Sequence, residues 1–197
     1  MSYSSRTTER KRLRKMRSSL SPAKQKEYSY LVSSHIYSSK EFKKSKHIAI
    51  YWPFDGEINP TLVIKMAEKM DKVFYLPILA KGKNRRMTFA RACNGTKLKK
   101  NRYGIPEPVT RKRKKASHLD LILTPLVGFD SMGNRLGMGS GYYDATLSFL
   151  NRRKHWKKPL LMGVAYELQR IENIPPKPWD IPLAGVYTEK GVNYPKY

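Results

Sequence analysis

The stretch that most constrains this chain runs from Gly128 to Asp144 and reads GFDSMGNRLGMGSGYYD. An apolar run (Leu119, Leu121, Ile122, Leu123) precedes it, and an amphipathic segment, Tyr142 to Leu150, follows. Strand, glycine-rich loop and helix start, in that order, build an anion site, because the first N–H groups of a helix have no intrahelical acceptor. Gly137, Gly139 and Gly141 alternate, so the backbone is free to adopt positive φ and to approach a phosphate without a Cβ in the way. Arg135 stands just before the glycines, where a guanidinium would grip phosphate oxygens. Asp144 falls in the first helical turn, placed to ligate Mg²⁺ carried on that phosphate. The loop is neither of two common phosphate motifs. No Lys-Ser/Thr pair follows the glycines as a P-loop requires, and Gly137-x-Gly139-x-Gly141 is not GxGxxG. The glycines alone would suit a plain turn with Tyr142 and Tyr143 as core aromatics. With Arg135, the GYYD ending and the upstream GFD-x-x-GNR, they point to a site.

A chain of 197 residues that is 40% hydrophobic is expected to form one domain, 1–197, with a sizeable core. No apolar run is long enough to span a bilayer, and no h-region follows the charged N-terminus, so neither a membrane segment nor a secretory signal is expected. The single cysteine, Cys93, excludes an intramolecular disulfide framework, suits a reducing, cytoplasmic setting and reads as packing near a strand end. The formal charge of +25 favours anionic partners, whether nucleic acid, acidic membrane surfaces or phosphorylated ligands. A non-catalytic nucleic-acid-binding protein is therefore the rival class, resting on the basic N-terminus and the run Arg111 to Lys115. Against it, no RNA-binding or zinc motif is present and the glycine loop goes unexplained.

In chain order, Ser5 to Leu20 reads as a basic amphipathic helix with Leu13, Met16 and Leu20 inward, and Lys11, Arg12, Lys15 and Arg17 as solvated charge. Ser21-Pro22 opens a second helix to about Ser39, burying Tyr28, Leu31, Val32, His35 and Ile36, with His35 a core histidine. His47 to Pro53 reads as a strand, followed by a turn carrying Glu57; Asn59-Pro60 caps a helix through Met70. Val73 to Leu79 and Met87 to Cys93 are strands around a basic turn, Ala80 to Arg86, and 94–115 is the least structured stretch. Leu119 to Val127 is the central strand, the helix after the glycines runs to about Arg153, Pro159 to Tyr166 is a strand, and 186–189 is a short final one. This alternation predicts a three-layer α/β fold with a mainly parallel, Rossmann-like central sheet.

The motif GFDSMGNRLGMGSGYYD resembles that of the 5-formyltetrahydrofolate cyclo-ligases, and the likeness extends from the basic N-terminal helix to the late segment WDIPLAGVYTEKG. The resemblance implies an enzyme that converts 5-formyltetrahydrofolate, polyglutamylated or not, and ATP into 5,10-methenyltetrahydrofolate, ADP and phosphate, using Mg²⁺. Arg6 and Arg10 match the family's basic pair for ATP, with Arg135, Leu136, Gly137, Met138, Gly139, Ser140, Gly141, Tyr142 and Tyr143 forming the loop around it. Trp52, Glu57, Tyr103 and Tyr143 match the folate side, Glu57 as the acid that holds polar groups of the pterin. Arg135 and Tyr143 are the implied catalytic pair, and Asp144 and Asp180 the implied metal ligands. Three positions depart from the family pattern: Met138 and Ser140 lack its loop charges, and Ala184 replaces its second late acid.

Overall fold

The structure, a computed structural model, describes residues 3–81, 85–92, 95–153 and 158–196. Cys93 and Asn94 lie outside them, as do residues 82–84 of the basic turn. The chain begins α1 (Tyr3–Ser18), α2 (Pro22–Ser38), α3 (Lys40–Lys44), β1 (His47–Ala49), α4 (Leu62–Met66), β2 (Val73–Leu79) and β3 (Met87–Arg91). It continues through β4 (Leu98–Lys100), β5 (Pro106–Pro108), β6 (Leu121–Pro125), β7 (Gly128–Phe129) and β8 (Arg135–Leu136). Last come α5 (Tyr142–Leu147), β9 (Leu160–Val164), β10 (Gly185–Thr188) and β11 (Gly191–Asn193).

The central strands are apolar on both faces, and the two-residue period of a strand sorts their side chains into two cores. Ile48, Phe74, Leu76, Leu121, Leu123, Met162, Val164 and Tyr187 pack on one face; Ala49, Tyr75, Ile122, Leu161 and Val186 pack on the other. α2 and α3 close the first core with Val32, Ile36 and Phe42, and α5 closes the second with Tyr142 and Leu147. Between them lies a seven-stranded sheet of order β11-β10-β9-β6-β1-β2-β3. Its inner strands are parallel, and the edge strands β11 and β3 are antiparallel. This is the expected three-layer α/β architecture. From β1 the chain winds to β2 on one side and later to β6 on the other. The C-terminal ends of β1 and β6 therefore open a crevice at the switch point, where open α/β sheets hold ligands.

Some boundaries follow the sequence closely. Ser21 caps α2, its Oγ accepting the Lys24 N–H at 3.3 Å, and β2 spans Val73–Leu79 as read. His35 is half-buried, with Nδ1 2.9 Å from the Thr188 carbonyl, while the fully buried stripe of α2 is Ser29, Val32, Ser33 and Ile36. Other elements differ for local reasons. The helix expected from Asn59-Pro60 to Met70 is only α4; it starts late because Asn59 Oδ1 accepts the Thr61 N–H at 3.0 Å and its hydroxyl at 2.7 Å, a turn that competes with a helical start, and it ends at Met66. The strand expected through Pro53 leaves the sheet after Ala49; Ile50 adds one last bond, 2.9 Å to the Tyr75 carbonyl, and Pro53 has no N–H to continue. Residues 94–115 hold the β4–β5 hairpin, which Glu107 anchors by accepting the Leu79 N–H at 3.0 Å and Asn101 Nδ2 at 2.8 Å. The central strand is β6 alone, and the helix after the glycines tightens to a 3-10 turn over Ser148–Arg152 instead of staying α-helical to Arg153. β10 is not the final strand: Gly191, at φ 128°, turns the chain back into β11.

Candidate active site

α1 lies across the crevice, and a glycine lets it down there. Leu13 Cδ1 stands 2.8 Å from where a Cβ on Gly128 would lie, so any side chain there would push Leu13 out of its place beneath the helix. Leu13 then packs with Val127, Leu136 and Ile174 in a small third core. Met16, expected to face inward, is exposed, and among the described side chains of α1 the buried ones are Arg6, Leu13 and Arg17. Arg17 is the sharpest correction. Read from the sequence as solvated charge, it is 1% exposed, because it has a carboxylate partner on a distant turn.

The N-terminal end of α1 meets the glycine loop. Arg6 donates to the Pro175 carbonyl and, at 3.4 Å, to Asp180 Oδ2. One helical turn on, Arg10 lies on the same face of α1, and its Nε donates to the Gly137 carbonyl at 2.8 Å. Arg135 is buried and donates to the Ile181 carbonyl and to Asp144 Oδ1. Asp144 Oδ1 also accepts the Ile181 N–H at 3.3 Å, which brings Asp144 to the segment that carries Asp180.

The loop does not leave β6 directly, since the β7–β8 hairpin intervenes. Asp130 builds that hairpin: Oδ1 accepts the Met132 and Asn134 N–H groups at 2.9 Å each, and Oδ2 accepts Asn134 Nδ2 at 2.9 Å. The GFD-x-x-GNR portion of the motif is thus a scaffold for Arg135. Gly139 at φ 99° and Gly141 at φ 70° are left-handed, a region costly for residues with a Cβ. Gly137 is not, and nothing would obstruct a Cβ there; what the loop uses at that position is the carbonyl held by Arg10. Met138, Gly139 and Ser140 are exposed, whereas Leu136 and Tyr142 belong to the cores. Tyr142 takes a hydrogen bond from Arg102 on its hydroxyl, and Tyr103, 45% exposed, meets its ring edge-on at 6.4 Å. Tyr103 therefore stands beside the glycine loop. Arg85 is the residue that sequence reasoning missed: its Nη1 lies 4.0 Å from where a Cβ on Gly141 would be. Arg10 and Arg85 bring cations to a loop whose Met138 and Ser140 have none, and the one hint was the basic composition of the 80–86 turn.

The C-terminal end of α1 meets the turn after β1. There the Glu57 N–H donates to the Phe54 carbonyl at 3.1 Å, and both central residues, Asp55 at φ 53° and Gly56 at φ 72°, are left-handed, as in a type I′ turn. Asp55 Oδ2 accepts Arg14 Nε and Arg17 Nη2, each at 2.8 Å. Glu57 Oε2 accepts the Phe54 N–H at 3.1 Å. The Glu57 carboxyl is pushed up to about 7, because burial outweighs the pull of Arg17 and of the Phe54 N–H. Three tyrosines surround it. Burial raises Tyr51, Tyr143 and Tyr166 above the usual phenol range, Tyr166 to about 12, and the negative charge of Glu57 adds to each. Tyr51 donates to the Ile58 carbonyl at 2.7 Å and Tyr143 hydrogen-bonds Thr124, but the Tyr166 hydroxyl and Arg17 Nε are buried with no partner among the described residues. Unmet polar atoms beside a partly protonated acid are what a polar ligand would satisfy. Trp52, one residue after Tyr51, is 38% exposed.

The two ends suit different ligand parts: a polyanion at the loop, and a flat heterocycle with hydrogen-bond donors at Glu57. Among the described residues, no three His, Cys, Asp or Glu side chains group as a metal cage. Asp144 and Asp180 instead face Arg135 and Arg6. Magnesium takes one or two carboxylates together with phosphate oxygens and water, so this pair fits a cation that arrives on a polyphosphate whose oxygens take over the arginines.

A model of the 5-formyltetrahydrofolate cyclo-ligase family matches residues 2–189. The chain is 37% identical over 178 residues to the 5-formyltetrahydrofolate cyclo-ligase of Haemophilus influenzae, covering 88% of this chain and 92% of that one. It is 33% identical over 182 residues to the Escherichia coli protein of the same name, covering 91% and 98%. The solved structure of Aquifex aeolicus 5,10-methenyltetrahydrofolate synthetase matches it with a TM-score of 0.80 at 35% identity, over 98% of this chain and 93% of that one. A Mycoplasma pneumoniae 5,10-methenyltetrahydrofolate synthetase, at 21% identity and a TM-score of 0.71, shares the fold over 93% of this chain and 98% of its own. With its loop, its basic helix and its acid turn matched along almost its whole length, this chain belongs to the 5-formyltetrahydrofolate cyclo-ligase family.

Proposed function

We propose that the chain, acting as one domain over 1–197, uses ATP to cyclise 5-formyltetrahydrofolate to 5,10-methenyltetrahydrofolate, releasing ADP and phosphate. The observation that carries this reading is the two-ended crevice under α1, with Arg6 and Arg10 at the glycine loop and Glu57 at the other end. ATP lies with its triphosphate along Met138 to Gly141, where Arg6, Arg10, Arg85 and Arg135 neutralise it. The pterin lies against Glu57, whose ionised carboxylate accepts its ring N–H and 2-amino donors. Tyr143 and Trp52 wall that pocket and Tyr103 borders the loop; Tyr143 hydrogen-bonds Thr124 and is near enough to Glu57 to feel its charge.

The formyl oxygen attacks the γ-phosphorus as the bond to the ADP oxygen breaks. N10 then attacks the activated formyl carbon and loses its proton, and the carbon–oxygen bond breaks to release phosphate. Little covalent work falls to the protein. Alignment of the formyl group with the phosphate, and stabilisation of charge by Arg135 and the loop amides, carry most of the rate gain. Asp144 and Asp180 would hold Mg²⁺, which when bound shields the charge that builds on the phosphates.

No helix among the described residues is long and apolar enough to cross a membrane, and we place the enzyme in the cytoplasm, with folates of either tail length as substrates. Mixing the protein with 5-formyltetrahydrofolate and Mg-ATP should produce the absorbance of the methenyl product and one ADP per product. ATP turnover with no methenyl product would contradict the reading.

A further inference from the structure

We propose that Arg17 is a positioning residue for the folate end of the site: through Asp55 it holds the left-handed turn that presents Glu57, and ties that turn to the helix carrying Arg6 and Arg10. The proposal rests on the reading above, in which Glu57 receives the pterin.

A guanidinium inside a protein is expensive unless paired, so a helix that needed packing alone would carry leucine at this position. Arg17 Nη2 instead reaches Asp55 Oδ2 at 2.8 Å, and Nη1 reaches the Leu126 carbonyl, at the end of β6, at 3.4 Å. Asp55 is the one non-glycine residue at positive φ among the described residues, a conformation that needs outside support. That support comes from Arg17 and Arg14, both bound to one carboxylate oxygen. The turn also rests on the helix itself, since a Cβ on Gly56 would lie 3.8 Å from Arg17 Cγ and 3.9 Å from the Arg17 carbonyl. Arg6, Arg10, Leu13 and Arg17 share one face of α1, and Arg6 to Arg17 spans about 16 Å of rigid helix. One helix thus fixes the separation between the triphosphate clamp and the pterin acid.

Arg17 works on Glu57 in two ways, by place and by charge. The charged and titratable groups facing Glu57 are Arg17 from α1, Asp55 on its own turn, Tyr51 beyond β1, Tyr143 from α5 and Tyr166 beyond β9. Of these Arg17 is the cation that favours the ionised carboxylate.

Arg17→Met keeps the apolar stem and removes the guanidinium. We expect KM for 5-formyltetrahydrofolate to rise about tenfold with KM for ATP changed by less than about twofold, and the pH midpoint of folate binding to move upward. Arg17→Lys keeps the cation and should return the pH midpoint toward wild type while KM stays raised. Unchanged KM values in Arg17→Met would overturn the proposal. So would an equal rise in both KM values, with a lower melting temperature and an unmoved pH midpoint. Should Arg17→Met fail to fold, Asp55→Asn decides from the other side of the pair, because asparagine tolerates the left-handed turn. A selective loss of folate supports the link, and a wild-type folate KM overturns it. The wild-type trace guards the underlying reading: if wild type makes no methenyl product, the assignment of function fails, not the role of Arg17.

Discussion

The two ends of α1 solve one problem in opposite ways. At the glycine loop, charges are neutralised in place: Arg135 sits on Asp144 and Arg6 on Asp180, so a polyanion binding there would have to displace carboxylates that already hold the arginines. At the turn after β1, the acid is kept half-buried among tyrosines, and part of its charge is removed by a proton. The first arrangement is rich in ion pairs; the second relies on partial burial to raise the acid. The phosphate transfer to a formyl oxygen proposed above would need both, one end to spread charge and the other to hold a neutral ring still.

Gly139→Val should break the loop end hardest. Valine at φ 99° is strained and puts a branched side chain where phosphate must pass, and a displacement of about 1 Å at reacting atoms costs roughly a hundredfold in turnover. Folate binding and the circular dichroism spectrum should be unchanged. A variant with wild-type ATP turnover would remove the loop from the mechanism.

Glu57→Gln should break the other end alone. Losing a charge-assisted acceptor costs about 1.5–3 kcal/mol, roughly tenfold to hundredfold in folate affinity, with ATP affinity little changed. An equal loss for both ligands would mean a folding defect.

The same variant sharpens the contrast through pH. The Glu57 carboxyl rises from 4.5 to about 7 on folding, so between those values the folded chain holds a proton that the unfolded chain has lost. The contribution of Glu57 to stability therefore falls as pH rises through that window. The melting temperature of Glu57→Gln should gain on wild type from pH 4.5 to about 7 and hold level above. Folate binding to wild type should strengthen as Glu57 ionises, and binding to Glu57→Gln should be flat. A constant difference in melting temperature across the window would show that Glu57 titrates normally.

Asp144→Asn should give the smallest effect. Asparagine still accepts from Arg135 but leaves its buried guanidinium without a counter-charge, so the melting temperature should fall as well, while the Mg²⁺ needed for half-maximal activity rises several-fold, a shift that lost stability alone would not produce. Asp180→Asn should shift it less, and the double variant should be non-additive, since both acids serve one ion. Unshifted Mg²⁺ curves in both single variants would leave Asp144 as a partner of Arg135 alone.

The loop end was legible because its parts are contiguous. Positive φ at Gly139 and Gly141, and the placing of Arg135 before them, are local properties that a short motif records. Arg6 and Arg10 were singled out by the resemblance to the family; helical spacing showed only that they share a face of α1. The acid end was not. Glu57 was visible as a turn residue after a strand, but its raised pKa comes first from burial, with the neighbouring Asp55 charge adding to it, and that burial exists only in the folded chain. Arg17 misled for the same reason: in a helix crowded with cations it reads as solvent-facing, and its partner Asp55 lies on another element. Arg85 stands in a basic turn that nothing local connects to Gly141. The β7–β8 hairpin escaped because two-residue strands carry no periodicity, although Asp130, which shapes it, was inside the motif.

The most direct test of the account follows the formyl oxygen. 5-Formyltetrahydrofolate labelled with oxygen-18 in the formyl group is converted by the enzyme with unlabelled Mg-ATP, and the released phosphate is weighed by mass spectrometry. If the two ends of the crevice bring formyl oxygen and γ-phosphorus together, each phosphate carries one labelled oxygen. Label that appears in water, with none in phosphate, would contradict the transfer and with it the two-ended site.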